Sequence, residues 1–313
     1  MKEMSSPKTR PGFLSVILCT YNRASSLRRT LDSLARQTLG PAEFELIVVD
    51  DSSTDNTAEV CRQAGKLMSN LRYFPTGRNI GVGNAANLGI RNSAGEYLAC
   101  LDDDCIARED WAGRMRDALK KHPLVAGCVE TPRSNFVKDC HNVAEFHTFM
   151  KGRKEGKVDF IAGANMGFRR SVFEEVKGFQ TKAFLAGDMA FILEARLRGY
   201  EIQFIPEAVI THDHNRTRLS TIFRYSAEHA SQTILLRNKY SSLLKTPFIF
   251  RSPVLILAAA PVIALKVTAG IYLRHTHRMR FLPTVPVVYA LKLAWCWGAA
   301  RGLKNWNKAA GKP

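Results

Sequence analysis

Three consecutive carboxylates, Asp102, Asp103 and Asp104, end an apolar run that has the length of a β-strand. Side chains alternate between the two faces of a strand, so the pattern predicts that Asp102 and Asp104 point to one side and Asp103 points away. Two carboxylates directed at one point repel each other unless a cation lies between them. All-oxygen ligands suit Mg²⁺ or Mn²⁺, which bring phosphate oxygens with them. A solvated acidic turn is the alternative explanation.

Three strand-like segments precede these carboxylates and would position them. Residues 13–20, 44–49 and 71–74 are apolar runs of strand length, and each is followed by a polar or Gly-rich loop and a helical pattern. This order predicts an α/β fold with a doubly wound, mostly parallel sheet. The carboxyl ends of parallel strands meet at one edge, where open α/β sheets bind ligands.

After the carboxylates, helical patterns and strand signals continue to alternate along the chain. It contains a helical pattern at 111–121, strand signals at 124–129 and 159–168, a helix that opens at Gly187-Asp188, and a strand that ends in His212-Asp213-His214. Residues 131–157 have weak periodicity, and we interpret them as an insertion with a mobile loop near the site. The expected division is a polar tail at 1–12, a catalytic domain at 13–218 and a helical region at 219–313.

The net charge of +17 is concentrated in the last third of the chain. Sixteen Lys or Arg residues but only two acidic ones, Asp213 and Glu228, follow position 212. Long aliphatic runs separate these charges, which favours an anionic membrane surface and argues against nucleic acid as the partner.

Two segments, 253–273 and 281–300, have about the 20 apolar residues that cross a bilayer. Each contains a lysine, Lys266 or Lys292, and a central lysine costs roughly 2.5–3.5 kcal/mol on insertion scales. A spanning hairpin would also place a basic loop outside the cell, against the positive-inside tendency. We therefore expect interfacial helices on the cytoplasmic face, with both lysines reaching towards water. Full spanning and a helical pair packed on the catalytic domain remain the alternatives.

Seven cysteines without a Cys-x-x-Cys pair favour reduced thiols in the cytosol.

Several short motifs occur together in a fixed order, and with them the chain resembles the family 2 glycosyltransferases of GT-A fold. They are 16–23 (VILCTYNR), 48–55 (VVDDSSTD), 79–81 (NIG) with 87–89 (NLG), 101–104 (LDDD), 163–165 (GAN), 187–188 (GD) and 209–212 (VITH). The resemblance covers roughly residues 13–240. It implies a Rossmann-like domain and an inverting transfer of a sugar from a nucleoside diphosphate to an acceptor hydroxyl.

The resemblance also implies roles for particular residues. Asp102, Asp104 and His212 would hold Mn²⁺ or Mg²⁺, which would stabilise the charge of the departing diphosphate. His214 could replace His212, and a structural histidine is the alternative. The nucleotide-sugar residues would be Thr20, Tyr21, Arg23, Asp51, Asn79, Gly81, Asp102 and Asp103. Helix capping would explain part of the acidic set Asp50, Asp51 and Asp55.

Asp188 matches the general base that takes the proton of the acceptor hydroxyl. The family commonly has Glu-Asp where this chain has Gly187-Asp188, and an ordinary helix N-cap is the alternative for Asp188. Gly163 and Asn165 would shape the acceptor side.

Four arginines are candidate phosphate contacts: Arg169, Arg170, Arg216 and Arg218. The Gln-x-x-Arg-Trp signature of processive synthases is absent, so we expect one or a few sugars per acceptor. A glycan or lipid-linked acceptor is expected, and a non-catalytic, membrane-attached nucleotide-sugar-binding scaffold is the alternative function.

Overall fold

The computed structural model describes residues 7–132, 134–180, 186–273 and 276–309. The chain forms two compact units. The N-terminal unit comprises Met1–Glu130 and Arg153–Asn215, and the C-terminal unit comprises Thr131–Gly152 and Arg216–Pro313. The change of unit at 215 lies close to the expected boundary at 218, whereas 131–152 groups with the C-terminal unit rather than with the domain into which we placed it.

The N-terminal unit is an α/β unit with one sheet. Its strands are β1 (Arg10–Thr20), β2 (Phe44–Asp50), β3 (Leu71–Pro75), β4 (Gly95–Asp102), β5 (Cys105–Ala107), β6 (Leu124–Glu130), β7 (Gly156–Val158), β8 (Asn165–Arg169) and β9 (Ile202–His212). Its helices are α1 (Ala24–Ala35), α2 (Thr57–Leu67), α3 (Val82–Arg91), α4 (Trp111–Lys121), α6 (Arg170–Val176) and α7 (Gly187–Leu197). Helix α5 (Phe136–Phe146) belongs to the C-terminal unit.

The sheet has the strand order β3-β2-β1-β4-β8-β6-β9-β5, and β7 pairs with β9. Strands β3, β2, β1 and β4 are parallel, which confirms the expected opening of the fold. Strand β8 runs antiparallel to both β4 and β6, and β9 runs parallel to β6. Strand β8 reverses the strand direction and β6 reverses it again, so β9 runs parallel to β4. One sheet edge therefore contains the carboxyl ends of β1, β2, β4 and β9 and the start of β8.

Apolar residues fill both faces of the central strands because helices cover the sheet. Every residue of β2 is buried, as expected for a strand in the interior of an α/β sheet. Gly89 of α3 allows this helix to approach the sheet closely, since a Cβ there would lie 3.0 Å from methyl groups of Ile17 and Val49.

Two arginines form hydrogen bonds with the backbone at the opposite sheet edge, and these contacts correct one expectation. Arg170 donates to the carbonyl oxygens of Ile90, Ser93 and Gly95, at the start of β4. Arg169 donates to the carbonyl oxygens of Leu119 and Lys120. Both guanidinium groups therefore stabilise backbone at the edge away from the carboxylates, and the prediction of phosphate contacts for them is wrong.

The C-terminal unit is helical. Besides α5 it contains α8 (Leu219–Lys239), α9 (Ser241–Leu244), α10 (Pro253–Leu273), α11 (Val285–Ala309) and two 3-10 helices at Phe248–Arg251 and Thr276–Thr284. Asn135 caps α5, because its side chain accepts hydrogen bonds from the backbone N–H groups of Val137 and Lys138.

Two glycines of α11 let it pack directly against α8. A Cβ on Gly298 would lie 2.1 Å from the carbonyl oxygen of Ala227, and one on Gly302 would lie 2.3 Å from that of Ser231. The small residues at 298 and 302 on α11 face small residues at 227 and 231 on α8. Glycine pairs with this spacing bring helix backbones together in the same way in membranes.

Replacing Gly298 with Ala should destabilise this unit. The added methyl group would overlap the α8 backbone and push the helices apart, at a cost of about 1–3 kcal/mol. Gly270→Ala is the matched control, because a Cβ on Gly270 of α10 meets nothing within 4 Å. Thermal unfolding followed by circular dichroism in detergent should show a lower Tm for Gly298→Ala only. Equal Tm values for the two variants would contradict the close helix contact.

Helix α10 has a narrow buried stripe and a broad exposed apolar surface. Ile256, Ala260 and Ala264 belong to the stripe, whereas Val254 is 73% exposed and Val262 is 68% exposed. By length and composition, Pro253–Leu273 and Arg280–Lys308 could each cross a membrane. An apolar surface of this extent is typical of a partner or lipid contact.

The two lysines of these helices behave differently. Lys266 is exposed on α10, as the interfacial interpretation requires. Lys292 instead donates a 2.7 Å hydrogen bond to the carbonyl oxygen of Ala144, at the end of α5. The expectation that Lys292 reaches towards water is wrong, because a backbone acceptor within its own unit binds the ammonium group.

Candidate active site

The predicted residues come together at the sheet edge described above. Thr20 ends β1, Asp51 follows β2, Asp102 ends β4, and His212 ends β9. The two short loops after β1 and β2 are tied to each other: the side-chain oxygen of Asn22 accepts from the backbone N–H of Thr54 at 2.7 Å. These contacts fix the edge before any ligand binds.

Asp104 and His212 form the candidate metal centre. The Nε2 atom of His212 lies 3.3 Å from Oδ1 of Asp104, and both side chains are buried. Strand pairing creates this proximity, since Cys105 lies opposite His212 in the β5–β9 ladder and the N–H of Asp213 donates to the carbonyl oxygen of Asp104. The ring of His214 lies 5.2 Å from that of His212, centroid to centroid, so His214 is its neighbour.

Cys105 is the third potential ligand, and sequence reasoning missed it. Its Sγ and the ligand atoms of Asp104 and His212 all lie within 4.8 Å of one another, and Asp102 is not in this group. Burial, with a contribution from Asp104, raises the pKa of the Cys105 thiol well above its usual value. The Asp104 carboxylate and the His212 imidazole form a donor pair that suits Mn²⁺, whereas a thiolate ligand favours softer metals.

Arg23 pairs with both Asp103 and Asp104, which contradicts the prediction that these two side chains point in opposite directions. Its guanidinium lies 3.0 Å from Oδ1 of Asp103 and 2.9 Å from Oδ2 of Asp104. Strand β4 ends at Asp102, and Asp103 and Asp104 lie in the following turn, so side-chain alternation does not extend to them. Asp103 and Asp104 therefore share one cation, and it is the Asp102 side chain that is exposed to solvent.

The clustered carboxylates have raised pKa values. Burial is the main cause for Asp103; it outweighs the attraction of Arg23 and raises the pKa to about 7. The Asp102 side chain is exposed at the end of β4. Partial loss of hydration, together with repulsion by Asp104, raises its pKa to about 6. A bound divalent cation would oppose both shifts, since positive charge favours the ionised form.

Asp51 holds the loop that contains Asn79 and Gly81. Its carboxylate accepts from the backbone N–H groups of Ile80 at 2.7 Å and Gly81 at 2.8 Å, and from the hydroxyl of Thr76 at 3.2 Å. Gly81 has φ +84°, which favours glycine at this position. The Asn79 side chain is exposed, so the loop that the buried Asp51 carboxylate holds presents Asn79 to solvent.

Thr20 and Tyr21 also differ in exposure, since the first side chain is buried and the second is accessible. The Thr20 hydroxyl donates to Oδ2 of Asp103 at 2.7 Å and is buried. Tyr21 is 48% exposed. Thr20 and Arg23 therefore contact the acidic turn, whereas Tyr21 presents an accessible ring of the kind on which a nucleotide base stacks.

Two acidic residues have the structural roles that the alternative explanation predicts. Asp50 accepts from the N–H of Ser53 and from the hydroxyl of Tyr73. Asp55 accepts from the N–H of Ala24 at the start of α1 and from the N–H of Thr57 at the start of α2. Asp55 thus stabilises two helix starts.

Asp188 lies in the first turn of α7, next to the predicted acceptor residue Gly163. The N-cap position is Ala186, and Oδ1 of Asp188 accepts from the N–H of Met189 at 2.7 Å. A Cβ on Gly163 would lie 2.3 Å from Oδ2 of Asp188, so only glycine leaves room for this carboxylate. The Asp188 charge also acts on Asp102, which brings the candidate base near the acidic turn.

Asn165 lies beneath the site rather than in it. Its Nδ2 donates to the carbonyl oxygens of Cys128 and Ala208, both at 2.9 Å. Its Oδ1 accepts from the indole N–H of Trp111 at 2.9 Å, and the residue is fully buried. Every polar atom of the amide is used within the protein, so the side chain shapes the acceptor side from below and does not present a group to an acceptor.

Replacing Asn165 with Ala should lower the free energy of unfolding by about 3 kcal/mol or more. The change removes three buried hydrogen bonds, and the loss of a buried partner costs about 1–3 kcal/mol for each group. Asn70→Ala is the control, since the Asn70 amide makes one partly buried hydrogen bond, to the carbonyl oxygen of Phe44. Chemical denaturation should separate the two variants. A stable Asn165→Ala protein with impaired acceptor affinity would instead assign Asn165 to direct acceptor contact.

Arg29 is a further residue that sequence reasoning missed. Its guanidinium donates to the carbonyl oxygen of Asp213 at 3.2 Å and lies 3.3 Å from the Asp213 carboxylate. The amide of Asn215 donates to the hydroxyl of Ser26 at 2.9 Å. Helix α1 therefore holds the segment that carries His212. The helical pattern predicted α1, but not which distant loop would pack on it.

Comparison with known proteins agrees with this geometry. Residues 15–177 match Glycosyl transferase family 2, and residues 97–300 match Glycosyl transferase family group 2. Glycosyltransferase AglE of Haloferax volcanii is 29% identical over 202 residues, which cover 64% of this chain and 66% of that protein. A poly-beta-1,6-N-acetyl-D-glucosamine synthase of Staphylococcus epidermidis is 28% identical over 205 residues, or 63% of this chain and 48% of the synthase.

A solved structure shows the same fold. The mannosyltransferase PcManGT of Pyrobaculum calidifontis, in complex with GDP-Man and Mn²⁺, has a TM-score of 0.63 at 20% identity. The match covers 98% of this chain and 92% of that one. The sequence motifs, the strand order and the family matches all indicate the same family. The chain belongs to glycosyltransferase family 2 and has a GT-A fold.

Proposed function

We propose that this protein is a metal-dependent, inverting glycosyltransferase that moves a sugar from a nucleoside diphosphate to an acceptor hydroxyl. The observation that carries the proposal is the gathering of Asp104 with His212, Asp51 with Gly81, and Asp188 at one sheet edge. The two pairs join segments far apart in the sequence and would serve the metal and the nucleotide, and Asp188 would serve as the base.

Asp188 takes the proton in this proposal. The acceptor oxygen forms a bond to the anomeric carbon, the bond from that carbon to the diphosphate oxygen breaks, and the hydroxyl proton passes to the Asp188 carboxylate. The electron pair of the broken bond leaves with the nucleoside diphosphate. Attack opposite to the leaving group inverts the configuration at the anomeric carbon.

Asp104 and His212 would hold the divalent metal, and Asp102 ends the strand that leads into this turn. When bound, Mn²⁺ or Mg²⁺ supplies electrostatic stabilisation to the departing diphosphate. The fit rests on the donor set, since a carboxylate and an imidazole nitrogen 3.3 Å apart suit Mn²⁺. PcManGT was solved with Mn²⁺ and GDP-Man, which supports the same assignment.

Tyr21, Asp51, Asn79 and Gly81 would bind the nucleotide. The Asp51 carboxylate is buried and holds the 76–81 loop, while the side chains of Tyr21 and Asn79 are exposed. Arg23 and Thr20 would act on the nucleotide through the acidic turn, because their side chains contact Asp103.

The C-terminal unit would place the enzyme on the cytoplasmic face of a membrane, close to a glycan or lipid-linked acceptor. From Arg216 to Pro313 the chain has sixteen Lys or Arg and one acidic residue, Glu228. Helix α11 packs on α8, which carries Arg224, Glu228 and Arg237. Spanning by α11 would draw these charges towards the hydrocarbon, at roughly 2.5–3.5 kcal/mol for a central Arg. We therefore infer that the apolar helices α10 and α11 both lie in one leaflet of the membrane.

The test of the activity uses a panel of UDP-, GDP- and dTDP-sugars with Mn²⁺. A donor that binds raises the Tm in proportion to the logarithm of its saturation. We expect one donor to raise the Tm and to release nucleoside diphosphate only when a sugar acceptor, free or linked to a short-chain prenyl phosphate, is present. Stabilisation by a donor without release for any acceptor would identify a binding protein without turnover.

The test of the membrane topology uses Leu273→Cys at the end of α10, where the side chain is 82% exposed. A helix of 21 residues is about 31 Å long, so spanning would bring this thiol to the far surface. We expect a membrane-impermeant maleimide to label the variant in inverted vesicles and not in intact cells. Labelling in intact cells would establish spanning.

A further inference from the structure

The segment that precedes α7 is held by one buried side chain of α3. Asn87 donates from Nδ2 to the carbonyl oxygen of Phe179 at 3.0 Å and accepts at Oδ1 from the N–H of Phe179 at 2.9 Å. Asn87 is 6% exposed. The Asn87 amide thus binds both backbone polar groups of Phe179, as a neighbouring β-strand would.

Glycine is required next to this pair. Gly178 has φ +82°, and a Cβ there would lie 2.7 Å from Oδ1 of Asn87. The backbone at 178–179 can therefore approach the amide only because residue 178 has no side chain. The contact is built into the sequence at two positions that are 91 residues apart.

The held segment contacts α7 directly in two places. The ring of Phe179 lies 4.8 Å from the ring of Phe191, in the middle of α7. The carbonyl oxygen of Gln180 would lie 3.2 Å from a Cβ on Gly187, the first residue of α7. A side chain at 187 would therefore require the Gln180 carbonyl to shift by a few tenths of an ångström.

We propose that Asn87 is a positioning residue for Asp188. Through Phe179 and Gln180 it fixes the start and the middle of α7, and α7 carries Asp188 in its first turn against Gly163. A small displacement of a reacting group can cost about a hundredfold in rate. The inference rests on the proposed role of Asp188 as the base.

The experiment compares Asn87→Ala, Asn87→Asp and Asn92→Ala in acceptor-dependent transfer. Asn87→Asp retains the size of the side chain but loses the donor to the Phe179 carbonyl. Asn92→Ala is the matched control, since Asn92 adjoins the same helix and its amide donates locally to the carbonyl oxygen of Leu88. We expect kcat to fall about 10- to 100-fold for both Asn87 variants, with donor Kd within twofold of wild type. The control should keep its kcat within twofold.

A purely structural effect is separated by repeating Asn87→Ala in the Asp188→Asn background. If Asn87 acts through Asp188, the second change should add less than twofold to the loss, because the group that it positions is already absent. An equal loss in both backgrounds, or a wild-type kcat for both Asn87 variants, would overturn the inference. Full activity of Asp188→Asn alone would instead refute the base, and the two failures are therefore distinguishable.

Discussion

Asp188→Asn should lower the rate of sugar transfer by about 10²–10⁴-fold while leaving donor binding intact. The amide keeps the size of the carboxylate but cannot take a proton, and general base catalysis typically contributes about 10²–10⁴-fold. Asp188 lies beside Gly163 in the first turn of α7, whereas the 76–81 loop is held by Asp51, so the donor Kd should stay within about twofold. Chromatography of the product measures the loss of transfer, and thermal shift measures donor binding separately.

The control for Asp188→Asn is Asp159→Asn, since Asp159 pairs with Arg196 at the surface of the same unit. A surface pair of this kind contributes little to stability. Turnover by Asp188→Asn at the rate of Asp159→Asn would remove Asp188 from the mechanism, and a parallel loss of donor binding would assign it to the donor side instead.

The second large effect is expected from Asp104→Asn. The change removes the negative charge that faces both His212 and Arg23. Mn²⁺ affinity, measured by electron paramagnetic resonance of the free ion, should fall by at least tenfold. Transfer should fall about a hundredfold, as losses in the environment of a metal commonly do.

Asp110→Asn is the control here, because Asp110 is partly exposed and pairs with Arg108 and Arg114 away from the sheet edge. His212→Ala should reproduce the loss of Mn²⁺ affinity. If Asp104→Asn binds Mn²⁺ as tightly as Asp110→Asn, the metal centre does not include Asp104.

The order of elements was predictable because periodicity and loop composition are local signals. The strands that end at Thr20 and Asp102 and the helix at Pro253–Leu273 were expected within a few residues. The direction of β8 was not expected, since a run of strand residues does not encode which neighbour it pairs with.

Side-chain roles were harder to predict, because they depend on contacts between distant segments. Motif matches found Asp51, Asp104 and His212, but not that Arg23 would join Asp103 to Asp104. Alternation failed at Asp104, since a turn begins after Asp102. No local pattern marks Asn165 as a buried support or Lys292 as a donor to α5; both roles require the folded neighbours.

The hydrogen bonds of Asp51 have a consequence for donor choice. A carboxylate has about four acceptor positions, and three of those on Asp51 are used by Thr76, Ile80 and Gly81. At most one position is left for a base N–H, so Asp51 alone distinguishes poorly between uracil, guanine and thymine. Selection among nucleotide sugars must then depend on the shape of the loop that Asp51 holds, and donor specificity should change more readily through substitutions at 77–79 than at Asp51 itself.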